Sequence, residues 1–135
     1  MREGYEQLLA YLESQLPRPV DRQDHAEETH FMAGDPPEVM VTLTPSIVVV
    51  SEFSGERDAP GSFRITPIRL GVIHWPHVPE NQLLDAVAAL LKAARHARLS
   101  RFKPCRLCDV LTAPEWLHES GICQECGKDV GGLIH

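Results

Sequence analysis

The sequence predicts an α+β protein: an antiparallel β-meander covered by two helices, in the order α-β-β-β-α, with a C-terminal four-cysteine zinc-finger module. Three observations predict it. Two stretches with helical apolar periodicity bracket the middle of the chain. Between them lie β-branched or alternating runs, separated by Pro and Gly. All four cysteines then fall in the pattern C-x2-C-x14-C-x2-C, at Cys105, Cys108, Cys123 and Cys126. The boundaries that follow are 1–103 for the α+β domain and 104–135 for the zinc module.

The first helix is expected over 3–16. Tyr5, Leu8, Leu9, Leu12 and Leu16 form one apolar face, and Pro17 and Pro19 stop the helix. Residues 20–37 are polar and acidic. Asp24, His25, Glu27, Glu28 and His30 are metal-ligand types, but His25 and His30 do not share a helix face. A solvated loop is expected there. Residues 38–44 alternate and predict a strand, with Val39, Val41 and Leu43 on its buried face. Thr44-Pro45-Ser46 is a turn. Residues 47–53 predict a second strand whose apolar first half is buried on both faces.

Residues 54–61 are rich in breakers and predict an exposed loop. Residues 62–75 read as a third strand, bulged at Pro67 or Gly71 or split there into two. Trp75, within His74-Trp75-Pro76-His77, is expected to cover the edge of the core rather than line a pocket. The second helix is expected over 79–102. Leu83, Leu84, Val87, Leu90, Leu91 and Ala94 make its apolar stripe. Arg98 and Arg101 fall where apolar residues would continue that stripe, so the last turn is expected to leave the core.

Charge is unevenly distributed. Residues 1–60 carry a net −8, residues 61–108 a net +6 and residues 109–135 a net −4, which sum to the chain's −6. The basic block makes Lys92, Arg95, Arg98, Arg101, Lys103 and Arg106 candidate contacts for an anion or nucleic acid, at the basic end of the second helix. The acidic module itself is a poor reader of DNA.

The cysteine spacing points to a tetrahedral Zn²⁺ site rather than disulfides. The chain opens without an apolar signal core, and its longest apolar runs fall far short of the ~20 residues of a membrane span. A cytoplasmic protein with no membrane partner is expected. Leu111, Trp116, Leu117 and Ile122 are the expected miniature core and docking surface of the module. His118 is expected beside the site rather than in it. The nine residues after Cys126 suit either a short helix, giving a treble-clef-like finger, or a strand, giving a zinc ribbon. The Lys103-Pro104 junction is too short to let the module swing, so the module is expected to dock on the domain.

Several motifs together carry a resemblance. Cys105-Arg-Leu-Cys108, Pro114-Glu-Trp-Leu-His118 and Ile122-Cys-Gln-Glu-Cys126 resemble the C-terminal finger of small uncharacterised bacterial proteins. Ala33-Gly-Asp-Pro-Pro-Glu-Val39 and the Thr-Pro-Ser-Ile-Val-Val strand are similar to the same group. The resemblance covers most of the chain and implies a treble-clef-like zinc finger, without implying an activity.

No Gly-rich phosphate loop, nucleophile elbow or H-E-x-x-H motif occurs, and a closed four-thiolate site leaves no position for substrate. The expected function is therefore non-catalytic: a zinc-binding cytoplasmic module that meets another protein. Nucleic-acid binding through the basic helix end is the alternative.

Overall fold

The computed structural model describes residues 2–59, 62–117 and 121–126. Helix α1 (Arg2–Gln15) buries Leu8, Leu9 and Leu12, with Leu16 just beyond it, as the periodicity requires. The Tyr5 hydroxyl ties its first turns to the sheet. It shares a hydrogen bond with Thr29 Oγ1 at 2.9 Å and donates to the Leu43 carbonyl at 3.2 Å.

The polar stretch that follows is a hairpin, not a loop. Strand β1 (Val20–His25) pairs antiparallel with β2 (Glu28–Ala33). β2 turns Thr29, Phe31 and Ala33 into the core and alternates them with His30 and Met32. β1 is an edge strand, exposed from Asp21 to His25, so backbone pairing alone defines it and hydrophobic patterning cannot reveal it. Its charges also protect that edge against pairing with another chain.

Strands β3 (Val39–Leu43) and β4 (Val48–Glu52) follow as expected and pair in register, Val41 opposite Val50. The doubly buried part of this run is its second half, not its first. Val50, Ser51, Glu52 and Phe53 are buried, while Ile47 and Val49 are half-buried. The later residues lie under the end of the second helix, as the contacts of Glu52 and Phe53 below make clear.

The expected loop at 54–61 contains strand β5 (Gly55–Ala59), which pairs with β6 (Ser62–Ile65) in a separate two-stranded arm. Pro67 does split the third run. Beyond it, β7 (Ile68–Ile73) returns to β4 and closes a five-stranded sheet in the order β1-β2-β3-β4-β7. β7 also bulges: Val50 faces Gly71 and Ser51 faces Arg69, which leaves Leu70 over. Glycine at 71 leaves room for Leu90, since a Cβ would sit 2.8 Å from the end of that side chain. The predicted three-strand order thus becomes seven strands between the helices, still an antiparallel meander but with an inserted arm.

Trp75 covers the core edge as expected. It is buried, opens a 3-10 turn over Trp75–His77, and donates its indole N–H to the Thr44 carbonyl at 2.8 Å. Helix α2 (Glu80–Ser100) packs on the same sheet face as α1, with Leu83, Val87, Leu91 and Ala94 in the common core. Its last turn does not leave the core. Arg98 continues the buried stripe and is only 1% exposed. No helix among the described residues is long and apolar enough to cross a membrane.

Candidate metal centre

The chain leaves α2 and enters the module through β8 (Lys103–Pro104), which pairs with β9 (Leu111–Thr112). The hairpin between them carries the first two cysteines. The Asp109 N–H donates to the Cys105 carbonyl at 2.9 Å and the Cys105 N–H to the Val110 carbonyl at 3.0 Å. Asp109 takes a positive φ of 62°, which a short polar side chain tolerates. The turn therefore folds back on itself and presents Cys105 and Cys108 together.

The second pair is brought in by backbone contacts. Leu117 and Cys123 form an antiparallel bridge, and the Arg106 N–H donates to the Gly121 carbonyl at 2.9 Å. Gly121 has φ 82° and lies against the Arg106 stem, so it serves as the pivot of this approach. The backbone is helical at 124–126, which turns Cys126 toward the same point as Cys123. Residues 127–135, which distinguish a treble clef from a ribbon, and His118 lie outside the described residues.

All four sulfur ligand atoms lie within 4.8 Å of one another. The Cys108 and Cys123 sulfurs are 3.8 Å apart. A tetrahedron with metal–sulfur bonds of about 2.3 Å has edges of about 3.8 Å, so these thiols fit one four-coordinate ion. Cys105 is buried at the inner side and Cys108 is exposed, which places the centre at the surface.

The thiols are electrostatically unequal. Cys105 is lowered to about 6, chiefly by the backbone N–H of Cys123, with those of Cys108 and Leu107 adding to it and burial opposing. The first and last of these N–H groups lie 3.3 and 3.4 Å from its sulfur. Cys126 is pushed upward, chiefly by its hydrogen bond with Cys123 and then by that with Cys108. For Cys108 the Val110 N–H favours the thiolate, but the hydrogen bond with Cys105 and burial carry it upward. The Cys105 thiolate forms readily, while Cys108 and Cys126 are held back by their neighbours. A divalent cation held by these thiols would offset that penalty, because it favours deprotonated thiol ligands.

The module's expected core is different from its actual one. Leu111 and Trp116 are exposed, Leu117 and Ile122 are half-buried, and Ala113 and Cys105 are buried. The residue that docks is Glu115, in a 3-10 turn over Pro114–Trp116 that lies beside β5. Its carboxylate takes both terminal nitrogens of Arg98, with Nη1 donating to Oε2 at 3.0 Å and Nη2 to Oε1. Both side chains are almost fully buried, at 2% and 6% exposure.

Arg98 is held from every other side by the first domain. Nε donates to the Pro37 carbonyl at 2.9 Å, and the guanidinium lies 5.0 Å from the centre of the Phe53 ring and 5.1 Å from that of Phe102. Such stacking suits a planar, weakly hydrated cation. Of the other candidate anion contacts, Arg95 donates from Nε to Glu38 at 3.1 Å and Arg101 from Nε to the buried Glu52 at 2.6 Å. Lys92, Lys103 and Arg106 are exposed. The structure thus resolves much of the basic cluster into three ion pairs. The carboxylates were missed from the sequence, although strand parity gave a signal: Glu52 shares a face with Val48 and Val50.

Comparison of the chain with protein-family models, curated proteins and solved structures finds no match.

Proposed function

We propose that this chain is a non-catalytic, cytoplasmic zinc-binding protein whose four-thiolate site assembles a surface for another protein. The observation that carries the reading is the gathering of four thiols within 4.8 Å, with a 3.8 Å sulfur–sulfur edge. The finger is treble-clef-like in this reading, with Cys126 in the first turn of a C-terminal helix. A saturated four-cysteine site is structural, because it keeps no position for a substrate or a reactive water.

The protein-partner part rests on exposed apolar side chains. Leu107, Val110, Leu111 and Trp116 of the module are exposed, and so are Phe63 and Ile65 of the β5–β6 arm. Ile68, Leu70 and Val72 of β7 and Leu99 of α2 are exposed as well, and exposed apolar surface of this extent marks interaction sites. The nucleic-acid alternative loses its strongest members, since Arg98 is buried against Glu115, and Arg95 and Arg101 are already paired.

The test is metal analysis of the purified protein, followed by an affinity pull-down from its native cell with and without nuclease. About one zinc per chain, with partners that survive nuclease, is expected. Protein with two disulfides and no metal removes the zinc reading. Partners lost on nuclease treatment replace the protein-binding reading with the nucleic-acid one.

A further inference from the structure

Among the described residues, every group that cradles Arg98 except one belongs to the α/β body. Pro37 supplies the carbonyl, and Phe53 and Phe102 supply the two aromatic faces. Only Glu115 comes from the module, and it contributes both carboxylate oxygens. The guanidinium is therefore oriented before its anion arrives, with Nη1 and Nη2 presented side by side. A fixed, stacked, partly desolvated arginine is a ready-made receptor for one carboxylate. Preorganisation of this kind strengthens binding because little freedom is left to lose.

The geometry points to a carboxylate-binding pocket at Arg98 that the zinc module fills in cis with Glu115, and that opens to an outside carboxylate when the metal leaves. The gating part rests on the zinc reading above. The module buries little apolar surface of its own, so metal loss releases the 3-10 turn that carries Glu115. Withdrawal of Glu115 leaves a buried cation without its partner, which the molecule corrects by taking another carboxylate. The metal centre and the pocket then behave as two ends of one switch: metal bound, pocket closed; metal lost, pocket receptive.

The experiment follows the Arg98 Nε–H resonance of the full chain in ¹⁵N NMR spectra, with sodium propionate as the probe. Propionamide and sodium chloride at equal concentration are the controls. Three samples are compared: metal-loaded wild type, wild type under a strong chelator and reductant, and metal-loaded Glu115→Ala. The expected result is a saturable shift with propionate in the last two samples and none in the first. Metal-loaded Glu115→Gln, whose amide still fills the space, is expected not to respond.

A peptide of residues 112–117 that binds the chelated protein more tightly than propionate assigns the site to protein carboxylates; equal binding assigns it to small acids. No saturable shift in chelated wild type overturns the proposal, whether or not Glu115→Ala folds. So does an equal shift with propionamide. Protein that never carries metal refutes the zinc reading and the gate together. A propionate response confined to Glu115→Ala overturns the proposal in the same way, because the pocket then does not open on metal loss, and leaves the zinc reading standing.

Discussion

The α/β body and the cysteine module are built by different physics. The body gathers sixteen buried apolar residues into one core: from the two helices, from β2, β3 and β4, and from Leu16 and Trp75 beside them. None depends on a ligand. The module has only Cys105 and Ala113 buried among its described apolar residues, while Leu107, Val110, Leu111 and Trp116 face solvent. Among its described residues, what gathers it is the cluster of four thiols and the grip of Glu115 on Arg98. The comparison separates a region that folds on hydrophobic burial from one whose described residues rest on a thiol cluster and a buried ion pair.

The strongest way to break that comparison is to remove the metal. Chelation, or Cys105→Ser, is expected to cost the module its coordination free energy, on the order of 10 kcal/mol. The body is expected to stay folded. Far-UV circular dichroism should then change little, and the buried Trp75 should keep its blue-shifted emission while exposed Trp116 loses its environment. Loss of both regions in one cooperative transition shows instead that the two are a single folding unit.

Two substitutions of similar size then act inside the body and at its boundary with the module. Leu12→Ala, at a fully buried position in α1, is expected to destabilise the body by about 2–5 kcal/mol. Arg98→Met is expected to cost about 3–5 kcal/mol, because Glu115 is left as a buried, unpaired carboxylate. They differ in what rescues them. Adding Glu115→Leu to Arg98→Met removes the stranded charge and should recover most of the loss. Chemical denaturation of the single and double variants measures this as a coupling energy. A double variant no more stable than Arg98→Met shows that Arg98 acts through its packing on Phe53 and Phe102 rather than through Glu115.

The two regions also differed in how legible they were. The helices, β3 and β4 follow from spacing, since each alternates buried and exposed residues at its own period, and the role of Trp75 follows from an aromatic placed at a strand end. The cysteine cluster follows from spacing too, for a chemical reason: ligand geometry constrains separation in sequence. β1 was invisible because an exposed edge strand has no buried side chains to pattern it, and β5 because breakers surround it. Arg98 is the instructive failure. Its position falls on the apolar stripe, yet its charge predicts that the helix exits the core. The periodicity was the better guide. A guanidinium can stay inside when two rings, a carbonyl and a carboxylate satisfy it, and the carboxylate was supplied from a region seventeen residues on, beyond the reach of local pattern.

The smallest effect sharpens the same boundary. Arg95 on α2 and Arg101 just beyond its end flank Arg98, and each holds a carboxylate of the sheet region, but the two carboxylates differ in burial. Glu38 is 15% exposed and Glu52 is 1% exposed. Arg95→Ala is expected to change stability by about 0–1 kcal/mol, as solvent replaces the lost partner at a site already near water. Arg101→Ala should cost more, because Glu52 has little water to turn to once its partner is gone. Denaturant midpoints of the two variants, at low and high salt, order these effects. Equal costs show that the protein relaxes to solvate Glu52, so that burial in the sheet does not by itself isolate a carboxylate. A larger cost for Arg101→Ala places the rigid edge of the body at the end of β4, where Phe53 begins the cradle that meets the module.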